Sequence, residues 1–307
     1  MSKPSAAIIG AGISGVSAAR LLNDAGWNVA IFEKSRGWGG RCATKRWEGQ
    51  IIDHGAQFFT IRSEDFRESL SRHCGDALLT IEAPVTLPDG SILSGEPRYF
   101  HRDGNSRIVR DLGAGLVMQP GTPVKEITNR TIHGQQFDVI ISTAPLPQTF
   151  VLAGLPADAS AYLPNLTLLL LYSSPVAADL RNIYAISDPD GYLAWSAVEN
   201  HKPGRVQTGL TALVIQASES FSRAHLEDDP TVWSAALRRL AEDRWGLNPE
   251  ALLASHPHRW RYARVAKPAP VPQLPDGWIF AGDALGESRL ESAWNAGREA
   301  ARHLIGG

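Results

Sequence analysis

Cysteine is scarce in this chain, with only Cys42 and Cys74 among 307 residues. Two thiols cannot build a disulfide framework or a metal cluster. The N-terminus passes straight into an apolar strand with no leader-like charge pattern, so a reducing, cytoplasmic setting is expected. Long apolar runs are also missing. The longest, Leu166 to Tyr172, falls far short of the ~20 residues that span a bilayer, and no membrane partner is expected. Nor is there an excess of one charge: 30 basic against 32 acidic side chains leave a net charge of −2. That balance gives nucleic acid nothing to hold. Nucleophile elbow, metal-ligand spacing, phosphate-transfer loop and internal repeat are all absent. What remains is an ordinary globular composition, 43% hydrophobic and 20% charged, in a chain long enough for one large or two medium domains. The nine tryptophans are many for this length and suggest an aromatic-lined cavity, although core packing would use most of them.

The strongest pattern lies at the start. An apolar strand, Ala6 to Ile9, runs into Gly10-Ala11-Gly12-Ile13-Ser14-Gly15, and an alanine-rich helix follows to about Ala25, closed by Gly26. A second strand, Asn28 to Lys34, carries Glu33, the acid expected about 20 positions on. Gly10 makes the tight turn, Gly12 lets a pyrophosphate approach the backbone, and Gly15 lets helix pack on strand. The helix start then offers free N–H groups and a positive dipole end to the phosphates. Glu33 can accept both ribose hydroxyls. The pattern identifies a dinucleotide site without separating NAD from FAD.

The segments that follow separate them. Arg36-Gly37-Trp38-Gly39-Gly40-Arg41 comes soon after Glu33 and Lys34, then Asp53-His54-Gly55-Ala56-Gln57-Phe58-Phe59. Here the chain resembles the flavin-dependent amine oxidase superfamily, and its renalase branch in particular. The resemblance is specific in the first 60 residues and the last 30 and loose between them. It implies an α/β fold: a Rossmann-like FAD-binding domain (1–57, 103–155, 268–307) with an inserted α+β substrate domain (58–102, 156–267) built on an antiparallel sheet, as in amine oxidases and p-hydroxybenzoate hydroxylase. It also implies non-covalent FAD. Gly39-Gly40-Arg41 would lie along the pyrophosphate, with Arg41 paired to it. Gly55-Ala56-Gln57-Phe58 would run beside the isoalloxazine ring, and the backbone at Val124 would touch the adenine. Gly282-Asp283 would bind the ribityl part. Glu291-Ser292-Ala293 would open a final helix aimed at the flavin N1–C2=O edge, with Gly297 giving room for close approach to cofactor or strand.

Between these ends the residues set simpler expectations. Thr60 to Gly75 reads as a helix with Phe66 and Leu70 on one face. Residues 79–100 read as short strands joined by the turn Pro88-Asp89-Gly90. Asn105 or Ser106 is expected to cap a helix ending at Gly113. Pro123–Ile127, Asp138–Thr143, Leu166–Tyr172 and Trp278–Ala281 read as strands, the buried ones implying a parallel sheet with helices on both faces. Arg205–Gln216 alternates like an antiparallel strand with one face covered, and Asp229-Pro230 starts a helix running to Gly246. Lys267 to Pro272 reads as a stiff linker. His54, next to Asp53, has the chemistry of a proton relay, but the expectation is that it faces the cofactor segment or solvent. His256 and His258 stand on one face of a strand with no third metal ligand near in sequence. No metal is expected.

Flavin brings its own redox chemistry, so no acid–base triad is required. The resemblance to renalase implies an oxidase that converts 2- and 6-dihydro isomers of NAD(P)H to NAD(P)⁺ and oxygen to hydrogen peroxide. Phe59, Trp195, Trp260, Tyr262 and Trp294 are the candidate pocket aromatics. An amine oxidase is the alternative; that class carries paired aromatics and a lysine bridged by water to flavin N5, and Lys202 and Lys267 are the only lysines between residues 156 and 267. A non-enzymatic FAD sensor is a third reading.

Overall fold

The computed structural model describes residues 3–270 and 273–306. Val271 and Pro272 of the expected linker lie outside the described residues. Five strands form a parallel sheet in the order Trp278–Phe280, Val139–Ser142, Ser5–Ile9, Asn28–Glu33 and Met118–Pro120. Its central strand is apolar without alternation because both faces are covered. One face packs against the helix Ile13–Asp24 and the closing helix Leu290–Ile305, through Ile8, Ala18, Leu22, Ile31 and Ala301. The opposite face, formed by Ala7, Ile9, Phe32 and Ile140, meets Ile132, Phe137, Val124 and Leu152. That cover comes from the hairpin Thr131–Gln136 and its flanks, together with the short helix Leu146–Leu152, so helices alone do not sandwich the sheet as expected.

A six-stranded sheet runs in the order Leu252–Val265, Tyr162–Tyr172, Thr211–Ala217, Leu193–Val198, Ala185–Ser187 and Val85–Thr86; every neighbouring pair is antiparallel except the last, which is parallel. Alternate residues of Tyr162–Tyr172 point to opposite faces. Leu166, Leu168, Leu170 and Tyr172 pack beneath the helix Pro230–Trp245, against Trp233, Leu237 and Trp245. Leu169 and Leu171 turn the other way, toward Ile52, Ala212 and Val214. Asp229 caps that helix as its sequence predicts, accepting the Thr231 N–H at 2.8 Å.

Three local expectations are corrected. Pro123–Ile127 makes no strand, because its apolar side chains Val124 and Ile127 are drawn onto the sheet face rather than into a ladder. Arg205–Gln216 narrows to Thr211–Ala217, and that strand is covered on both faces rather than one; Arg205 is withdrawn into a buried ion cluster. Asn105 precedes the helix Ser106–Leu112 without capping it. Its amide is spent elsewhere, accepting the His101 N–H and donating to the Ala56 carbonyl. No helix among the described residues is long and apolar enough to cross a membrane.

Candidate functional site

The first glycine turn has the geometry of a nucleotide cradle. Gly10 holds φ +103°, and a Cβ there would meet Thr143 Oγ1 at 2.8 Å. A Cβ on Gly15 would stand 2.1 Å from the Gly10 carbonyl oxygen, so the helix packs this closely only because that atom is missing. Gly12 differs, since a Cβ there would meet nothing within 4 Å; it faces open space, as a backbone that receives a phosphate must. The helix beginning at Ile13 has no side-chain cap and no acid in its first turn, so its first N–H groups await an acceptor. Ser14 Oγ is buried without a partner among the described residues. Glu33 is buried at the end of the second strand and accepts the Ala11 N–H at 2.8 Å and the Ser35 N–H at 2.7 Å. Each oxygen still has a lone pair for a ribose hydroxyl. Lys34 and Arg36 are exposed beyond it. An open groove of about 670 Å³ lies beside Val124, between Gly121–Lys125 and Thr131–His133. These residues fit a dinucleotide.

Gly39 and Gly40 return the chain to the cradle. Gly39 donates its N–H to the Ala11 carbonyl at 3.0 Å, and a Cβ on Gly40 would approach Gly12 Cα to 3.3 Å. Arg41 has a partner within the protein. Its guanidinium forms a two-pronged pair with Asp283, at 2.8 and 2.5 Å, and also donates to the Ala263 carbonyl. Burial would lower the Arg41 pKa, but Asp283 more than compensates and raises it. Two side chains expected on different parts of the cofactor thus satisfy each other, and the Gly39–Arg41 and Gly282–Asp283 segments are locked together. Gly55 is fixed by the same neighbourhood, since a Cβ there would lie 2.1 Å from the Arg41 carbonyl oxygen, and the Ala56 N–H donates to that oxygen.

Glu291 stands in the first turn of the closing helix, and its two oxygens accept the Arg62 and Ser63 N–H groups, both at 2.8 Å. Gly297 makes its close approach to the first helix rather than to a strand or ligand; a Cβ would lie 2.0 Å from the Ser14 carbonyl oxygen. Ser292 is half-buried and Ala293 packs into the core.

The inner face of the six-stranded sheet carries the expected pocket residues Trp195 and Trp260. Directly opposed residues in a ladder share a face. His258 lies opposite Thr167, Thr167 opposite Gln216, and Gln216 opposite Trp195, a row crossing four strands on the face of Leu169 and Val214. Trp260 is opposite Asn165 in the next row. The cofactor segment meets this face at both ends. Trp195 Nε1 donates to Gln57 Oε1 at 3.0 Å, and Trp260 Nε1 donates to the His54 carbonyl at 3.1 Å. His54 stacks on Trp260, centroids 5.6 Å apart, and meets His258 edge-on at 4.8 Å. Burial first, then the positive fields of His258 and Lys45, hold His54 down to about 3. Burial, His256 and Lys45 hold His258 at about 4. Both rings are therefore neutral near pH 7. Phe58 packs against Trp195, and Tyr262 packs against Tyr162. Two proposed pocket aromatics are instead core: Phe59 and Trp294 are 5% and 2% exposed, packed with Ile13, Val16, Cys42 and Phe66.

Sequence reasoning missed a buried ion cluster built around Asp53, the residue before His54. Lys202 Nζ lies 2.7 Å from Glu199 and 3.1 Å from Asp53, and Arg205 lies 2.9 Å from Asp53, all four side chains being fully buried. Burial alone would raise the Asp53 pKa, but Lys202 and Arg205 pull it below the usual carboxylate value; Glu199 is raised, by burial first. The i, i+3 spacing of Glu199 and Lys202 was the only local signal, and it does not distinguish a buried pair from an exposed one. A second missed group is Cys74, His101 and Asp111, whose ligating atoms lie within 4.8 Å of one another. His101 Nδ1 accepts the Asp103 N–H, which places the ring proton on Nε2, 3.2 Å from Asp111 though not aligned for a hydrogen bond. Burial lifts the Cys74 thiol to about 12.

Comparison with known proteins agrees with this arrangement. Residues 8–73 match the NAD(P)-binding Rossmann-like domain. A 106-residue stretch is 32% identical to a phytoene desaturase of Fusarium fujikuroi, covering 34% of this chain and 17% of that protein. A 53-residue stretch is 43% identical to a phytoene desaturase of Cercospora nicotianae, covering 17% of this chain and 8% of that one. Among solved structures, reduced UDP-galactopyranose mutase superposes with a TM-score of 0.79 at 13% identity, covering 100% of this chain and 94% of that one. Putrescine oxidase bound to putrescine gives 0.71 at 12% identity with both chains covered in full. Cyclohexylamine oxidase of Brevibacterium oxydans gives 0.69 at 14%, covering 99% of each chain. At such identities the likeness is one of fold. The family model for flavin containing amine oxidoreductases matches residues 76–305, well over half the chain, and it begins where the Rossmann match ends, so the chain that carries both the cradle and the aromatic wall belongs to the flavin containing amine oxidoreductase family.

Proposed function

We propose that this chain is a renalase-like oxidase that holds FAD non-covalently and oxidises 2- and 6-dihydro isomers of NAD(P)H with oxygen. One observation carries the reading: the neutral aromatic side chains Trp195, Trp260 and His258 meet the cofactor segment at Gln57 and at the neutral His54, while the nearby carboxylates Asp53 and Glu199 are committed to Lys202 and Arg205. Bound FAD would supply the hydride acceptor and the route for electrons to oxygen. The protein's own residues stack the donor ring, orient it and exclude water. A dihydropyridine that loses hydride becomes an aromatic pyridinium with no proton left to remove, so neutral His54 and His258 suffice. The substrate gives two electrons and one hydrogen, solvent gives a proton, and oxygen becomes hydrogen peroxide. Holding donor carbon and acceptor ~3–3.5 Å apart would supply much of the rate.

Amine oxidation is the second reading, favoured by the family and by the fold of putrescine oxidase. Against it, a cationic amine would find no unpaired carboxylate on that wall among the described residues, and Lys202 is already ion-paired. The protein is expected to purify yellow and to release its flavin on acid precipitation. Anaerobic mixing with borohydride-reduced NAD⁺ isomers should bleach it fast, with NADH bleaching it slowly and amines not at all. Bleaching by an amine but not by the isomers would transfer the protein to the second reading. A yellow protein that no reductant turns over with oxygen would be a sensor.

A further inference from the structure

We infer that Lys45, with His256 and His258 beside it, forms an oxyanion site that takes the phosphate of the substrate's nucleotide; that the anion belongs to the substrate rests on the dihydronicotinamide reading above. Two elements that meet on the inner face build the site. In the hairpin 44–53, Lys45 stands opposite Ile52, and directly opposed residues share a face. Ile52 packs with Leu169, and Leu169 stands opposite His256. Lys45 and His256 therefore flank one apolar line from its two ends. Trp47, next but one along the hairpin, makes the same approach, its ring centroid 6.3 Å from that of His256. His258 follows on the same strand face and meets Trp260 at 4.4 Å and His54 at 4.8 Å. Lys45, Trp47, His256 and His258 are each half-buried, so the group reaches solvent.

The charges at this place are of one sign. Among the described residues Lys45 joins no ion pair. Asp53, an acid of the same hairpin, stands opposite Thr44 on the other face and is held by Lys202 and Arg205. Glu48 is exposed in the hairpin turn. His256 feels the positive field of Lys45, and His258 feels those of His256 and Lys45, with no acid to offset them. Arg62 and Arg289 show the contrast, since both are paired with Glu96 and Glu287. A fixed ammonium beside two imidazoles, with no carboxylate to satisfy it, is complementary to an anion. Each neutral imidazole keeps one N–H to donate, and a bound anion would favour its charged form. Phosphate suits this set, because it offers several acceptor oxygens to donors arriving from two elements. A cationic amine would be repelled. The spacing also fits a nucleotide. His258 and His256 stand two residues apart, ~7 Å along the strand, so a ring against His258 and Trp260 and a phosphate at His256 and Lys45 can be joined through one ribose. Lys45 then sets the direction of entry, phosphate toward the hairpin and ring toward the cofactor segment.

The test titrates the oxidised holoenzyme with nicotinamide mononucleotide and with nicotinamide riboside, which lacks the phosphate, read by perturbation of the flavin absorbance. The wild type should prefer the mononucleotide about tenfold, the usual weight of one charge-assisted contact. Lys45→Met should remove that preference and leave the riboside unaffected, while Lys45→Arg should retain it. Inorganic phosphate gives a second readout that needs no turnover. It should shift the ring-proton resonances of His256 and His258 in the wild type and not in Lys45→Met. If Lys45→Met does not fold, His256→Asn takes its place and should lose part of the preference. A full preference in Lys45→Met, or histidine resonances that phosphate leaves unmoved in the wild type, would overturn the site. Phosphate shifts together with equal affinity for mononucleotide and riboside would overturn its assignment to the substrate. If the isomers bleach the wild type but Lys45→Met keeps its preference, only the role of Lys45 falls. If the isomers do not bleach it, the renalase-like reading falls, and the phosphate shifts alone decide whether the anion site stands.

Discussion

A Cβ on Gly297 would sit 2.0 Å from one backbone oxygen of the first helix and 2.3 Å from Ser17 Oγ, whose hydroxyl donates to the Trp294 carbonyl. The contact partner is backbone and cannot swing aside. Gly297→Ala should therefore lower stability by ~1–3 kcal/mol, the usual cost of overpacking, measured by denaturant unfolding; an unchanged midpoint would mean the two helices can part without loss. His54 yields a pH prediction. Its folded pKa of about 3 is set by burial, then His258 and Lys45, whereas an unfolded histidine titrates near 6.5. The unfolded chain therefore takes up a proton that the folded one refuses. The stabilisation is complete above pH 6.5 and is lost as pH falls toward 3. His101, His201, His256 and His258 are shifted in the same direction. Stability should fall between pH 6.5 and 4.5, before most carboxylates titrate, and His54→Gln should make that slope shallower by up to ~1.4 kcal/mol per pH unit. Identical slopes would show that His54 can charge in the folded protein.

Glu291 ties two helices together. It stands in the first turn of Leu290–Ile305, where a negative charge suits the helix dipole, and it accepts the N–H groups of Arg62 and Ser63. Ser63 in turn caps the helix Glu64–Cys74 through the Phe66 N–H. Hydrogen bonds to a charged acceptor are worth ~1.5–3 kcal/mol each, and these two share one group. Glu291→Ala should cost about 2–4 kcal/mol, Glu291→Gln less, with amide exchange rising first in 64–74. Uniform loss of protection across the chain would contradict the latch. Elements of this kind were largely legible. Apolar runs named the buried strands, Asp229-Pro230 named a helix start, and Phe66 with Leu70 named a buried face, because each signal acts within a turn or two of chain. Glu291 shows the limit: that it opens a helix was readable, but its partners lie 228 and 229 residues away. Asn105 likewise looks like a cap, but its amide is claimed by the His101 N–H four residues back and by the Ala56 carbonyl 49 residues away.

At the scale of the molecule, Lys202 decides how the halves are joined. The glycines of the cradle were readable because each marks a backbone contact close in sequence or in motif. The ion cluster was not, since Asp53 stands about 150 positions from its partners and nothing local separates buried charges from solvated ones. Asp53 ends the hairpin strand Gln50–Asp53 and immediately precedes the cofactor segment. Besides Lys202 and Arg205, it receives the Thr44 hydroxyl at 2.6 Å and the Asn105 N–H at 2.9 Å. Arg205 reaches on to the His101 carbonyl at 2.7 Å. Two cations and two carboxylates thus neutralise each other where the cofactor segment, the 101–106 loop and the 199–205 stretch converge. Removing one cation leaves a buried charge uncompensated, which costs ~3–5 kcal/mol, while removing a matched pair can be nearly neutral. Lys202→Met should therefore destabilise by ~3–5 kcal/mol, and Glu199→Gln added to it should restore most of that loss. The double variant also tests chemistry. If Lys202 serves only to balance charge, the double variant should keep flavin bleaching by dihydronicotinamide isomers. Recovered stability with bleaching abolished would instead place the Lys202 ammonium in the reaction.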